Sequence, residues 1–443
     1  MKPGTIYALA SGVGQAGVAV VRLSGPESKF AAAALTPVSL QSRKAVRAQF
    51  RDPDTAEILD DGLIIWFPGP ASFTGEDVAE LHLHGGRAVV DGVLGSLAAL
   101  DGLRMAEPGE FTRRAFENGK MDLTAAEGLA DLVAAETAAQ RRQALRQSQG
   151  ELGNLYESWR GRLLSALAHM EATIDFSDED LPDQLAAEIQ QELKALQHEL
   201  TAHLADNRRG ERLRDGIHLA IVGAPNVGKS SLLNLLARRD AAIVSEVAGT
   251  TRDVIEVHLD LGGYPVVIAD TAGLRDSADE VEAEGVRRAH ARARDADMLL
   301  AVFDAQEWPD LDSQTAEMIY ENTLVVVNKS DLKNLTEPLT ISGTAALAIS
   351  VANGDGIESL LDGLQTRVAA WVGDNAAPVL TRARHREAVE ACVSALARAL
   401  EAAAPELVAE DMRLAAQALG RITGRVDVED LLDVIFRDFC IGK

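Results

Sequence analysis

Ile217-His-Leu-Ala-Ile-Val-Gly-Ala-Pro-Asn-Val-Gly-Lys-Ser230 decides how the centre of this chain folds. Ile217–Val222 is an apolar run suited to a buried strand, and Ser230–Leu236 continues with helical spacing. Between them lies Gly223-Ala-Pro-Asn-Val-Gly-Lys-Ser230, a GxxxxGKS loop in the strand-to-helix context that a phosphate cradle needs. Its glycines let backbone N–H groups wrap phosphate oxygens, and the start of the helix adds positive potential. Lys229 is placed to reach the β- and γ-phosphates, and the Ser230 hydroxyl to ligate Mg²⁺. With Asn226, Val227, Gly228 and Ser231 these residues form one part of a nucleotide site. Alone, that part serves an ATPase or a GTPase equally well.

The motifs downstream choose guanine. Asp270-Thr271-Ala272-Gly273 follows the apolar run Val266–Ala269, which puts a carboxylate behind Mg²⁺ and a glycine amide near the γ-phosphate. Asn328-Lys329-Ser-Asp331 follows Thr323–Val327. Asp331 can accept from both N1–H and N2–H₂ of guanine, a pattern adenine cannot match. Ser350 and Val351, after a further apolar stretch, are expected to offer backbone amides to the guanine O6. Ser245-Glu246-Val247-Ala248-Gly249-Thr250-Thr251 lies between the first two motifs, where a switch threonine closes on Mg²⁺; Thr251 takes that place beside Ser230. Four motifs in order make GTP and GDP the ligands, with Lys229 and Thr251 as catalytic residues.

The position after Asp-Thr-Ala-Gly is Leu274, where Ras-like enzymes carry a Gln that orients water. An alkyl side chain neither donates nor accepts, so another group has to assist hydrolysis. Asn226 can lend an amide oxygen to a monovalent cation, completed by backbone carbonyls of the 245–250 loop. Glu282 can orient water through a bridge, or can be an acid that balances a helix dipole; the residues alone leave both open.

Outward from this core the texture changes. Residues 1–120 alternate Gly- and Pro-marked turns with β-branched runs such as Val18–Val21 and Leu63–Trp66, a mixed α+β pattern. Residues 121–213 are rich in Ala, Leu, Glu, Gln and Arg, and Leu181-Pro182 breaks them into two or more long helices. Residues 214–373 alternate strands and helices, implying a mostly parallel α/β sheet. Residues 374–443 return to helix at 383–402, 407–419 and 427–438. The economical arrangement is multidomain: an N-terminal α+β domain, then a discontinuous helical domain into which the α/β domain is inserted.

The 443 residues carry a net charge of −25 from 43 basic and 68 acidic side chains, which opposes broad adhesion to DNA, RNA or anionic membrane. No run of about eighteen apolar residues is present, so no membrane span is expected. The start, Met1–Gly12, lacks the pattern of a secretory leader, and two distant cysteines, Cys392 and Cys440, suit a reducing cytoplasm. Arg141, Arg142 and Arg146, then Arg208, Arg209, Arg212 and Arg214, read as solvated helix faces, with a local RNA patch as the alternative.

The GTP-reading loops place the chain among Era- and Der-like GTPases, and segments outside them narrow it. Phe73-Thr-Gly-Glu-Asp77, His84-Gly-Gly86, Pro108-Gly-Glu-Phe-Thr112, Arg114-Ala-Phe116, Asn118-Gly-Lys120 and the ending Cys440-Ile-Gly-Lys443 resemble the MnmE (TrmE) family of tRNA-modification GTPases over essentially the full length. The resemblance implies a K⁺-activated GTPase with a Ras-like G domain. It implies a cytoplasmic homodimer that joins the flavoprotein MnmG (GidA), which holds the FAD, in a heterotetramer. Together they place an aminomethyl or carboxymethylaminomethyl group on C5 of the tRNA wobble uridine. It further implies that the N-terminal domain dimerises and binds 5-formyltetrahydrofolate through Arg22, Glu80 and Lys120, with Lys443 reaching in. K⁺ then falls to Asn226, Ser245, Val247 and Thr250, and water orientation to Glu282. Cys440 is either a nucleophile toward uridine C6 or a small buried side chain. His82 and His84 are expected to be structural. The rivals are a ribosome-assembly or signalling GTPase of the Era or Der type, and a self-sufficient folate-dependent transferase.

Overall fold

The computed structural model describes residues 4–175, 183–239, 242–243, 256–269, 296–335, 338–373, 378–426, 429–437, 439 and 442. The chain divides into two compact units. One comprises Met1–Ala130, Gln147–Lys194 and Ser394–Lys443; the other comprises Asp131–Arg146 and Ala195–Val393.

In the first unit, β1 (Thr5–Leu9), β2 (Ala16–Ser24), β3 (Ala45–Arg51), β4 (Ile58–Phe67), β5 (Val78–Gly85) and β6 (Leu103–Met105) form one sheet, ordered β3-β4-β5-β2-β1-β6. Its pairs are antiparallel except β1 with β6. Strand alternation sends Val21, Leu23, Leu81, Leu83 and Ile64 to one face, where helices Ser28–Leu35 and Arg87–Ala98 bury Ala31, Leu35, Val93 and Leu97 against them. The same alternation leaves Arg22, Glu80 and His82 on the opposite face. Helices Glu151–Asp175 and Pro405–Thr423 pack together, and the latter starts with Pro at its first turn and stops at Gly424, φ +84°. The Leu181-Pro182 break lies outside the described residues, between helices Glu151–Asp175 and Asp183–Leu204.

The second unit holds β7 (Ile217–Val222), β8 (Ala242–Ile243), β9 (Glu256–Leu261), β10 (Tyr264–Ala269), β11 (Met298–Asp304), β12 (Thr323–Asn328), β13 (Leu339–Ile341) and β14 (Thr344–Ala348). Their order is β13-β14-β12-β11-β7-β10-β9-β8, parallel from β14 through β10 and antiparallel at both edges. Every residue of β11 and β12 is buried, as strands covered on both faces require. Two arginines depart from the solvated reading. Arg212 pairs with Asp297 at 2.7 Å and lies over the Trp371 ring at 5.0 Å. Arg214 pairs with Asp131 at 3.2 Å. Apolar surface and a fixed carboxylate hold these cations where the charge run alone suggested water.

Candidate functional site

Parallel strands place the loops after β7, β12 and β14 at one edge of the sheet, the edge where open α/β folds bind ligands. One buried amide ties those loops together. Asn328, 2% exposed, donates from Nδ2 to the Val227 carbonyl at 2.8 Å and accepts at Oδ1 from the Val351 N–H at 3.1 Å. The phosphate loop and the segment after β14 are therefore fixed to the same side chain. Gly228 explains its own identity here: it holds φ +100°, and a Cβ on it would sit 2.4 Å from Asn328 Nδ2. Gly223 is similarly constrained, because a Cβ would come within 2.3 Å of the Val302 carbonyl oxygen.

Lys229 folds over its loop, donating from Nζ to the carbonyls of Gly223 and Ala224, both at 2.8 Å. Ser230 stands exposed in the first turn of helix Lys229–Ala237, with Ser231 beside it. Asn226 is exposed at φ +62°, a left-handed conformation that Asn tolerates better than most residues.

Asp331 accepts from the Ser350 hydroxyl at 2.6 Å, and Ser350 is fully buried. This is a role that the motif did not announce. The expected base-facing amides are spent within the fold: the Ser350 N–H donates to the Asp355 carbonyl at 2.9 Å, and that of Val351 to Asn328. Lys329, at φ +62°, pairs with Asp304 at 2.6 Å. Asp304 was missed in the sequence, although an acid ending the apolar run Met298–Phe303 marks the loop edge of the sheet. Ser245, Glu246, Val247, Ala248, Gly249, Thr250, Thr251, Asp270, Thr271, Ala272, Gly273 and Glu282 lie outside the described residues.

The first unit carries a second constellation on the open face of its sheet. Arg22 and Glu80 are cross-strand partners, with Arg22 Nε and Nη2 both on Glu80 Oε1 at 3.0 and 2.9 Å. The guanidinium lies 5.4 Å from the Phe73 ring centre and 5.8 Å from that of Phe111. A cavity of about 310 Å³ opens here, lined by Glu80, Phe67, Ala71, Ser72, Phe73, Val78 and Arg43. Lys120 reaches the loop at its rim, donating to the Pro70 carbonyl at 2.9 Å. The tail arrives at the same place: Arg22 Nη1 donates to the Gly442 carbonyl at 3.4 Å, and a Cβ on Gly442 would lie 2.1 Å from the Leu9 carbonyl oxygen. Cys440 and Lys443 lie outside the described residues. Cys392 is buried, and that burial pushes its thiol up to about 12.

His82 sits 3.6 Å from the second Glu80 oxygen, and His84 bonds Asp60 at 2.8 Å. Among the described residues, no group of three or more His, Cys, Asp or Glu is arranged to hold a metal. Arg43, over the Phe67 ring at 5.7 Å, is a pocket residue that no motif marked.

Two family models match the chain. The family model described as the MnmE helical domain matches residues 123–440, and the one described as the GTP-binding protein TrmE N-terminus matches residues 5–120. The chain belongs to the MnmE family of tRNA modification GTPases. A tRNA modification GTPase MnmE of Paramagnetospirillum magneticum is 60% identical over 440 residues, 99% of each chain. A mitochondrial 5-taurinomethyluridine-[tRNA] synthase subunit of Danio rerio is 49% identical over 465 aligned positions, 99% of this chain and 93% of that one. Among solved structures, Era of Aquifex aeolicus bound to GDP and aluminium fluoride is 23% identical, covers 40% of this chain and 66% of that one, and has a TM-score of 0.27. As an MnmE-family protein the chain is a GTP hydrolase that acts in tRNA modification and binds GTP and GDP. Among the described residues no helix is long and apolar enough to cross a membrane.

Proposed function

We propose that this chain is a K⁺-activated GTPase that works in the cytoplasm as a homodimer and joins the flavoprotein MnmG (GidA) in a heterotetramer. The pair builds an aminomethyl or carboxymethylaminomethyl group on C5 of the wobble uridine, with a reduced folate held by the N-terminal unit. The observation that carries this reading is the presence, in one chain, of a guanine-reading scaffold and of the Arg22–Glu80 pocket. The expected boundaries, 1–120, 121–213, 214–373 and 374–443, assign these two sites to separate domains.

In the nucleotide site, Lys229 exchanges its Gly223 and Ala224 carbonyls for β- and γ-phosphate oxygens. That exchange costs little, because phosphate oxygens take the place of the two carbonyl acceptors that the ammonium gives up. Asp331, oriented by Ser350, accepts from the guanine edge, while Asn328 keeps the phosphate loop and the base loop in register. Ser230 offers an exposed hydroxyl oxygen, the hard donor that Mg²⁺ takes, with Thr251 as its switch partner. Asn226 offers an exposed amide oxygen for K⁺, joined by Ser245, Val247 and Thr250. Bound there, K⁺ would supply the positive charge that an arginine finger provides in other GTPases. Glu282 orients the attacking water, the task that Leu274 cannot perform. Hydrolysis then drives closure of the G domains, coupled to the partner's chemistry.

The pocket suits the pterin end of a reduced folate by its donor set, with the tail extending beyond it. About 310 Å³ falls at the small end of ligand sites, and apolar walls with few polar groups are their usual make-up. Glu80 presents an oxygen to the amidine-like pterin edge, and Arg22, Lys120 and Lys443 complement the formyl group and the anionic tail. Nucleoside mass spectrometry of tRNA from a strain lacking the protein tests the whole reading. Loss of the C5 substituent at the wobble position is expected, and a fully modified uridine would overturn it. Turnover in KCl against NaCl tests the cation separately: a marked K⁺ preference is expected, and equal rates reject it.

A further inference from the structure

A buried charge network lies behind the pocket wall and takes no part in either site as described so far. Its centre is Arg114, 5% exposed, on helix Glu110–Glu117. Arg114 Nη1 donates to Glu76 Oε2 at 2.9 Å, and Nη2 to Glu110 Oε1 at 3.0 Å. The same guanidinium donates to the carbonyls of Gly4 at 3.0 Å and Ser24 at 3.4 Å. Glu110 also accepts from Arg104 Nη1 at 2.8 Å and from the Glu107 N–H at 3.0 Å. Burial pushes the Glu110 carboxyl up, but the Arg104 hydrogen bond, the Glu107 N–H and the two guanidinium charges outweigh it and leave it below its ordinary value.

The network ends on one loop. Ser24 Oγ bridges Glu76 Oε2 and Thr74 Oγ1, both at 2.7 Å, and Asn118 Nδ2 donates to the Thr74 carbonyl at 2.7 Å. Lys120 holds Pro70, four residues upstream of Thr74, at 2.9 Å. One helix and its exit therefore grip this loop at Pro70, Thr74 and Glu76, on either side of Ala71, Ser72 and Phe73, which line the pocket. The neighbouring side chain on the helix meets the tail segment, with Arg113 Nη1 on Asp433 at 2.8 Å. The segments Phe73–Asp77 and Glu110–Phe116 are thus two halves of one device, which explains why the chain carries both.

We propose that Arg114 and Glu76 are positioning residues for the pocket: their half-buried ion pair sets the 70–76 loop and with it the ligand affinity of the wall that Phe73 carries. This rests on the reading of the pocket as a reduced-folate site. A planar guanidinium can span two carboxylates, and a lysine ammonium cannot do so with the same geometry. Shells that orient binding groups commonly change affinity by one order of magnitude or more when altered.

Calorimetric titration of the full chain with 5-formyltetrahydrofolate, well below its unfolding transition, tests this. Glu76→Gln is expected to weaken binding about 10-fold, and Arg114→Lys further, with GDP affinity unchanged. In a Phe73→Leu background the Glu76→Gln effect should shrink below about twofold, because both act through one loop. A purely structural role gives additive losses instead, and additive losses or unchanged affinity would overturn the proposal. Glu76 is the milder site, so its variant carries the test if Arg114→Lys does not fold. Should the wild type fail to bind 5-formyltetrahydrofolate, the folate reading falls, and amide exchange of residues 71–76 still decides the positioning claim. Faster exchange in Glu76→Gln supports it, and unchanged exchange rejects it.

Discussion

The nucleotide site and the N-terminal pocket solve the problem of positioning in opposite ways. Around Gly223–Ser230 the chain uses backbone: glycines whose neighbours leave no room for a Cβ, and one buried amide, Asn328, holding two loops. Around Arg22 and Glu80 it uses side chains brought together across strands, stacked on phenylalanines and held by an ion network. A backbone site fails when a methyl group is added. A side-chain site fails when a partner charge is removed. The two modes of failure make the comparison testable.

The largest effect is expected from Gly228→Ala. A non-glycine residue held at φ +100° carries about 1–3 kcal/mol of strain, and displacing Asn328 unpairs the Val227 carbonyl and the Val351 N–H. GDP affinity should fall on the order of 100-fold, as measured by fluorescent nucleotide titration, with folate binding unaffected. Retention of wild-type affinity would break the claim that the loop is set by backbone.

Next is Arg22→Met, which leaves Glu80 without its main partner on a half-buried face. Folate affinity should drop about 10- to 30-fold, or roughly 1.5–2 kcal/mol, while GDP binding and GTP turnover stay at wild-type levels. A change in turnover would mean that the two sites are less separable than their construction suggests.

Asn328→Asp sharpens the first half of the comparison. Oδ1 can still accept from Val351, but a carboxylate faces the Val227 carbonyl where an amide once donated. The loss should be about 2 kcal/mol in nucleotide affinity, smaller than for Gly228→Ala, because only one of the two loop contacts is lost.

How much of this was legible in the sequence follows from the same contrast. Each nucleotide loop is a contiguous motif after an apolar strand, so Ile217–Val222, the Lys229 helix and Thr323–Asn328 fell where the pattern put them. The helix expected at 407–419 runs longer, Pro405–Thr423, because proline starts it and Gly424 stops it. The pocket was not readable from spacing. Arg22, Phe67 and Glu80 are scattered in sequence and become neighbours through the strand order β4-β5-β2, while Arg43, Phe73 and Lys120 are brought in by segments outside the strands. The family resemblance supplied Arg22, Glu80, Lys120 and Lys443; Arg43, Asp304 and the Arg114 network had no such guide. Arg212 and Arg214 were misread because a charge run says nothing about Trp371, Asp297 or Asp131, which come from distant segments.

The smallest effect concerns pH. Glu110 is held below its ordinary value in the folded chain, so its contribution is fully present above the usual carboxylate range and is lost as pH falls through its lowered folded value. Glu110→Gln should therefore show a flatter decline of thermal stability between about pH 5 and pH 3 than the wild type. An equally steep decline would place the acid sensitivity elsewhere.

The central claim is that one chain carries two separately built sites, one for guanine nucleotide and one for a reduced folate. Reciprocal calorimetry tests it most directly, titrating GDP and 5-formyltetrahydrofolate into the wild type, Lys229→Ala and Glu80→Gln. The account predicts that Lys229→Ala loses nucleotide and keeps folate, and that Glu80→Gln does the reverse. Folate binding that is absent from the wild type, or that survives Glu80→Gln unchanged, would contradict it.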